Sequence, residues 1–102
     1  MSLRRHNPRR DYSEERVVRA LEECGCTVFR ISQRGIPDLL CFSPKGKRGR
    51  SRCFLVEVKK AANSPLTKDQ TNFHQDAWAN EWPVFVVWNG DDILPIVNEV
   101  TK

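Results

Sequence analysis

The stretch RGIPDLLCFSPKGKRGRSRCFLVEVKK, residues 34–60, holds two apolar runs joined by a basic loop with two glycines, the pattern of a β-hairpin. The runs are IPDLLCF (36–42) and RCFLVEVKK (52–60), and SPKGKRGRS (43–51) connects them. Pro37 stands near the start of its run, where a strand tolerates a missing N–H donor. Side chains alternate along a strand, so Phe54, Val56 and Val58 take one face and Cys53, Leu55, Glu57 and Lys59 the other. Glu57 and Lys59 therefore share a face, about 7 Å apart along the strand. Asp38, on the partner strand, lies beside them if its face matches. Charges on half-buried strands are costly unless paired or bound to an ion. An ion pair between Lys59 and one acid would leave the other carboxylate over, whereas a divalent cation with oxygen ligands would neutralise both. Structural pairing and ion binding both stand as readings of these three residues.

Outward from the hairpin, a helix is expected from Asp11 or Ser13, either of which can cap it, with Val17, Val18 and Leu21 as its apolar stripe and Cys24-Gly25 as its stop. CTVFRIS (26–32) alternates and is β-branched, hence a strand, and SQRG is a turn. Beyond residue 60, Thr67 caps a second helix, KDQTNFHQDAWANE, in which Gln70 completes a capping box and Phe73, Ala77 and Glu81 continue the face Gln70 begins. PVFVVW (83–88) is a fourth strand. ILPIVNEV (93–100) reads as a short helix with Pro95 in its first turn, against the alternative that Asn89-Gly90 opens a hairpin. The order is α-β-β-β-α-β-α, an α/β chain forming a single domain over 1–102, with a basic tail at 1–11 and a basic hairpin loop at 43–51.

No apolar run approaches the length of a bilayer span, and MSLRRHNPRR leads into a charged helix rather than an apolar segment, so a cytoplasmic protein is expected. Cys24, Cys26, Cys41 and Cys53 form no CxxC pair and accompany no HxxxH spacing, so they are expected as reduced thiols, with Cys41 and Cys53 buried in strands. Arg4, Arg5, Arg9, Arg10, Lys45, Lys47, Arg48, Arg50 and Arg52 make up nine of the 17 basic residues, so the eight that remain face 13 acids. The net charge of +4 thus resides in the tail and the loop, segments that suit a polyanion or a solvated surface. His74 reads as a helix-surface or boundary residue, and Trp78, Trp82 and Trp88 as cover for the sheet, one of them exposed at an interface.

GIPDLL followed by FLVEVKK resembles the PD-(D/E)xK nuclease signature, here Pro37-Asp38 and Glu57-Val58-Lys59, and the element order is similar to that superfamily's αβββαβ core, a mixed central sheet flanked by helices. The lead-in Gly35-Ile36-Pro37-Asp38 and the segment LTKDQTNFHQ with Gln70 resemble the virus-type replication-repair nuclease branch, VRR-NUC, in its small stand-alone form. The likeness runs from about residue 13 to residue 88.

The resemblance implies that Asp38, Glu57 and the backbone carbonyl of Val58 hold Mg²⁺ or Mn²⁺, and that Lys59 orients or deprotonates the attacking water. It places Gln70 at the edge of the site, beside its capping role. It matches the family's first-helix glutamate to Glu14, which shares the helical face of Val17, Val18 and Leu21, rather than to Glu15; a capping partnership with Asp11 is the other reading of Glu14. Arg34, Lys45, Lys47, Arg48, Arg50, Arg52 and Lys60 are expected to contact DNA backbone. The implied activity is a metal-dependent, structure-selective DNA endonuclease leaving 5′-phosphates, acting on branched DNA such as Holliday junctions as a C₂ homodimer. A flap or single-strand-end repair nuclease shares the same centre, and a non-catalytic nucleic-acid-binding module is the reading from another class.

Overall fold

A computed structural model describes residues 8–59 and 65–102, with side chains from residue 13 onward. Four helical and four strand segments follow the expected order: α1 (Pro8–Glu23), β1 (Thr27–Arg30), β2 (Leu39–Phe42), β3 (Cys53–Val58), α2 (Lys68–Asn80), β4 (Val84–Val87), a 3₁₀ turn (Gly90–Asp92) and α3 (Ile93–Val100). The sheet order is β1-β2-β3-β4. β1 and β2 pair antiparallel, as do β2 and β3, whereas β4 returns parallel to β3 after the α2 crossover. Such a mixed sheet flanked by helices is the restriction-endonuclease-like α/β architecture.

One face of the sheet carries the core. Leu39, Cys41, Phe54, Val56, Val58 and Val87 are buried there against Val17, Val18 and Leu21 of α1 and Ile93, Val97 and Val100 of α3. The alternation expected for β3 holds: Phe54, Val56 and Val58 point into this core, and Leu55 and Glu57 point to the opposite face, toward α2.

Several boundaries differ from the expectation. α1 starts at Pro8, so it takes up part of the segment expected as a basic tail; proline suits a first helical turn, where its missing N–H is not needed. The remainder of that tail, Arg4 and Arg5 included, and Lys60 lie outside the described residues, as do the side chains of Arg9 and Arg10. Each strand is shorter than its apolar run, β2 most of all: pairing begins at Leu39 because the chain at 33–36 forms a turn and Pro37 has no N–H to pair. Asn89 caps the 3₁₀ turn with its side chain, accepting from the Asp91 N–H at 2.8 Å, which directs the chain into α3 rather than a hairpin.

The inward face of α2 also differs. Gln70, His74 and Ala77 face the sheet, while Glu81 is an exposed C-cap in the left-handed region with φ 57°. The tryptophans do not cover the sheet: Trp82 packs on Phe73 with centroids 5.7 Å apart yet stays half exposed, and Trp78 is 86% exposed. All four cysteines are free thiols, but Cys53 is exposed because it falls on the face opposite the core.

Candidate active site

The Pro37-Asp38 and Glu57-Val58-Lys59 motif lies at one end of the β2–β3 hairpin, where the two strands part. The pairing of Leu39 with Val56 and of Cys41 with Phe54, continued one residue, sets Asp38 opposite Glu57, and directly opposed residues share a face. β1 continues alongside, with Ile31 N–H donating to the Asp38 carbonyl at 2.8 Å.

The way the strands part follows from the edges to which the β3 amides point. Leu55 and Lys59 donate to Pro83 and Val87 on the β4 side, so the alternate amides, Val58 among them, point toward β2. By register Val58 would exchange both its N–H and its carbonyl with Pro37, but proline has no N–H to give. The N–H of Val58 is taken instead by the Asp38 carboxylate, with Oδ2 accepting at 2.8 Å. The Val58 carbonyl leaves the strand on the same edge as that carboxylate. Pro37 and Asp38 together thus open the ladder and set a carboxylate beside a strand carbonyl.

Glu57 is 1% exposed, and α2 holds it. Gln70 Nε2 donates to Glu57 Oε2 at 3.0 Å, and Gln70 Oε1 accepts from Lys59 Nζ at 3.0 Å and from the Thr67 N–H at 2.9 Å. The Thr67 hydroxyl accepts in turn from the Gln70 N–H at 3.2 Å. The capping box and the bridge to Glu57 and Lys59 are therefore one arrangement: the cap fixes the rotamer of the side chain that spans the two β3 charges. Lys59 Nζ also lies 3.4 Å from the Pro65 carbonyl.

One turn further along α2 stands His74, expected at the helix surface or boundary and found at the boundary. Its side chain is 16% exposed and its Nε2 lies 3.6 Å from Glu57 Oε1. Burial and the Lys59 ammonium hold its pKa below the ordinary value despite the nearby carboxylate, which favours a neutral imidazole.

The turn before the motif explains its glycine. Gly35 has φ +81°, and a Cβ there would lie 2.8 Å from Asp69 Cβ in the first turn of α2. Gly35 thus lets the 33–36 turn seat against α2 beside Gln70. Arg34, almost fully exposed, pairs with Asp69 at 3.4 Å at the same end of the molecule.

Glu14 projects from the first helix to the β1 edge, where Arg30 Nε lies 3.3 Å from its Oε2. It is more buried than Glu15, as the helical face required, and Glu15 meets the same guanidinium at 2.8 Å, which lowers its pKa. Arg30, opposite Leu39 in the register, was not singled out in the sequence; its presence in an alternating strand gave no signal of its two acidic partners.

The basic loop stands apart. It joins the other ends of β2 and β3, so Arg52 is five strand residues from Glu57, roughly 17 Å at the rise of an extended chain. Its Lys47 N–H donates to the Thr101 carbonyl at 3.1 Å, and a hollow of about 300 Å³ there is lined by Gly46, Arg48, Arg50, Arg52, Val100 and Lys102. Among the described residues no helix is long and apolar enough to cross a membrane, and no group of three His, Cys, Asp or Glu side chains converges to hold a metal.

No protein-family model and no curated protein matches the chain. A solved structure described as a VRR_NUC domain is similar over 88% of this chain and 95% of that one, with a TM-score of 0.70 and 25% identity. With the parted β2–β3 hairpin and its Asp38, Glu57 and Lys59, that likeness makes the chain a nuclease domain of the restriction-endonuclease-like class. Within the class it is similar to the VRR-NUC family, as its Gly35-Ile36-Pro37-Asp38 and Gln70 segments resemble that branch.

Proposed function

We propose that this nuclease is a divalent-metal-dependent DNA endonuclease that cuts branched DNA, Holliday junctions among its substrates. The observation that carries the reading is the single side chain, Gln70, that ties the buried Glu57 carboxylate to the Lys59 ammonium beside a second buried carboxylate, Asp38. A structural ion pair would need no such spacer.

The donor set fits a hard cation: Asp38, Glu57 and the Val58 carbonyl offer oxygen alone, and they would hold Mg²⁺ or Mn²⁺. When bound, such an ion supplies Lewis-acid stabilisation of phosphoryl charge and a lower pKa for water. The chain's own residues do the rest. Lys59, set by Gln70, offsets charge on the scissile phosphate and orients the attacking water, whose proton passes to solvent as its oxygen attacks. The water oxygen bonds to phosphorus as the P–O3′ bond breaks; the leaving 3′ oxygen keeps the electron pair and takes a proton from solvent, so a 5′-phosphate results. Glu14, braced by Arg30 at the neighbouring strand end, is the proposed first-helix acid of the site.

The separation of the basic loop from the motif end supports a branched substrate. Arg48, Arg50 and Arg52, with Lys45 and Lys47, would meet backbone on a different arm from the one cut, while Arg34 stands beside the site. Two symmetric cuts across a junction require two such centres, hence a C₂ homodimer.

Labelled four-way junctions, flaps and linear duplexes incubated with and without Mg²⁺ test the reading. Junction cutting that EDTA abolishes is expected, with Asp38→Asn losing cleavage by at least about a hundredfold while retaining binding. Equal cutting of duplex and junction removes the branched-substrate claim, and wild-type cutting by Asp38→Asn removes the site.

A further inference from the structure

The site contains one polar atom that the nuclease assignment does not use. His74 Nε2 is buried and, among the described residues, makes no hydrogen bond, although it lies 3.6 Å from Glu57 Oε1. Buried polar atoms are rarely left in that state, and those that are call for an explanation. Packing accounts for the ring but not for the direction of its nitrogen: the imidazole stands edge-on to Phe73, with centroids 6.2 Å apart, and lines a groove with Leu66, Thr71 and Val86. Nothing in that apolar setting requires Nε2 to face the carboxylate. The spacing along α2 does. Residues four apart on a helix lie one above the other, so Gln70 and His74 approach Glu57 from one face, the first reaching Oε2 and the second facing Oε1.

We infer that His74 is a positioning residue of the site, whose Nε2–H holds one oxygen of Glu57 as Gln70 holds the other, so that α2 fixes the orientation of the carboxylate at two points. The inference rests on the proposed role of Glu57 as a metal-holding residue. A carboxylate gripped through both oxygens can present itself to a cation in a single rotation, and partners of this kind behind metal ligands typically change metal affinity by about 10- to 100-fold. A neutral imidazole protonated at Nε2 supplies the required donor and adds no positive charge to repel the ion.

The test uses the full chain, with Mn²⁺ as the probe followed by titration calorimetry. His74→Leu keeps the bulk and removes the donor; it is expected to melt cooperatively and to bind Mn²⁺ at least about tenfold more weakly. His74→Gln, whose amide can donate, is expected to recover most of that loss, which a merely packing role would not produce. Wild-type Mn²⁺ affinity in His74→Leu, with Asp38→Asn deficient, overturns the inference and leaves the nuclease reading standing. Wild-type affinity in Asp38→Asn removes that reading, and the inference falls with it. Should His74→Leu fail to fold, nitrogen NMR of the wild-type protein decides. There are two histidines, so His6→Gln assigns the signals. An Nε2-protonated His74 that shifts in Glu57→Gln supports the inference; a bare Nε2 overturns it.

Discussion

Pro37 shows how one residue can make a site by what it lacks. Opposite Val58 by register, it withholds the N–H that would otherwise close the ladder, and its successor Asp38 takes the Val58 amide through its side chain. Replacing it tests this. Pro37→Ala restores a backbone donor, and the Val58 carbonyl is expected to accept it, extending the β2–β3 ladder by one pair. Hydrogen exchange should then show a protected amide at position 37, with folding stability changed by no more than about 1 kcal/mol and Mg²⁺-dependent cleavage reduced at least about tenfold. An unprotected amide, or cleavage unchanged despite protection, would separate the proline from the proposed chemistry. Gln70 carries the opposite lesson. Its capping and site roles stood as alternatives in the sequence, yet its carbonyl oxygen serves the cap and Lys59 at once, leaving its amide nitrogen for Glu57.

At the scale of elements, the sheet's core face has a titration behaviour of its own. Cys26, just before β1, and Cys41, within β2, are buried, and burial pushes their thiols up to about 11 and about 12. The unfolded chain releases these protons near the ordinary value of 9.0, so between pH 9 and 11 it binds fewer protons than the folded one. The contribution of these two thiols is therefore expected to be flat below pH 8 and to be lost as pH rises through that window. Urea midpoints at pH 8 and pH 10 measure it, and Cys41→Ala should flatten the dependence even though it lowers the starting stability. Iodoacetamide at pH 8 should label exposed Cys53 well before either buried thiol. The elements themselves were largely legible because their signals are local: alternation in FLVEV, the Thr67–Gln70 box and the Cys24-Gly25 stop each depend on neighbours in sequence. What escaped depends on packing. The inner face of α2 was read through Gln70, Phe73, Ala77 and Glu81, and the helix instead settles with His74 inward and Glu81 turned out as a left-handed cap. The two acidic partners of Arg30 come from another element, and no spacing within β1 announces them. The tryptophans were expected to cover the sheet with one exposed at an interface, whereas Trp78 and Trp82 both lie at the rim.

For the molecule as a whole, the separation of charge from chemistry is the feature with most consequence. The motif end of the sheet gathers Asp38, Glu57 and Lys59 beneath α2, and the other end carries the arginine loop, tied to the end of α3 through Lys47 and Thr101. Close packing there has its own glycine: a Cβ on Gly46 would lie 2.5 Å from the Thr101 carbonyl oxygen, so the loop is seated against the helix end rather than free to swing toward the motif. A duplex arm short enough to cover the motif alone would then leave Arg48, Arg50 and Arg52 without phosphate contacts, whereas a junction would bring them a second arm. Binding of the cleavage-deficient Asp38→Asn protein across a salt series makes the distinction measurable. Changing the three arginines to alanine should lower the slope of log K against log salt by about 0.9 for each one that meets a phosphate. That reduction is expected on a four-way junction and should vanish on a hairpin stem of about four base pairs, which spans roughly 14 Å and so less than the distance from motif to loop. An equal reduction on both would place the loop on the arm that is cut, and the case for branched DNA would then have to rest on the cleavage panel alone.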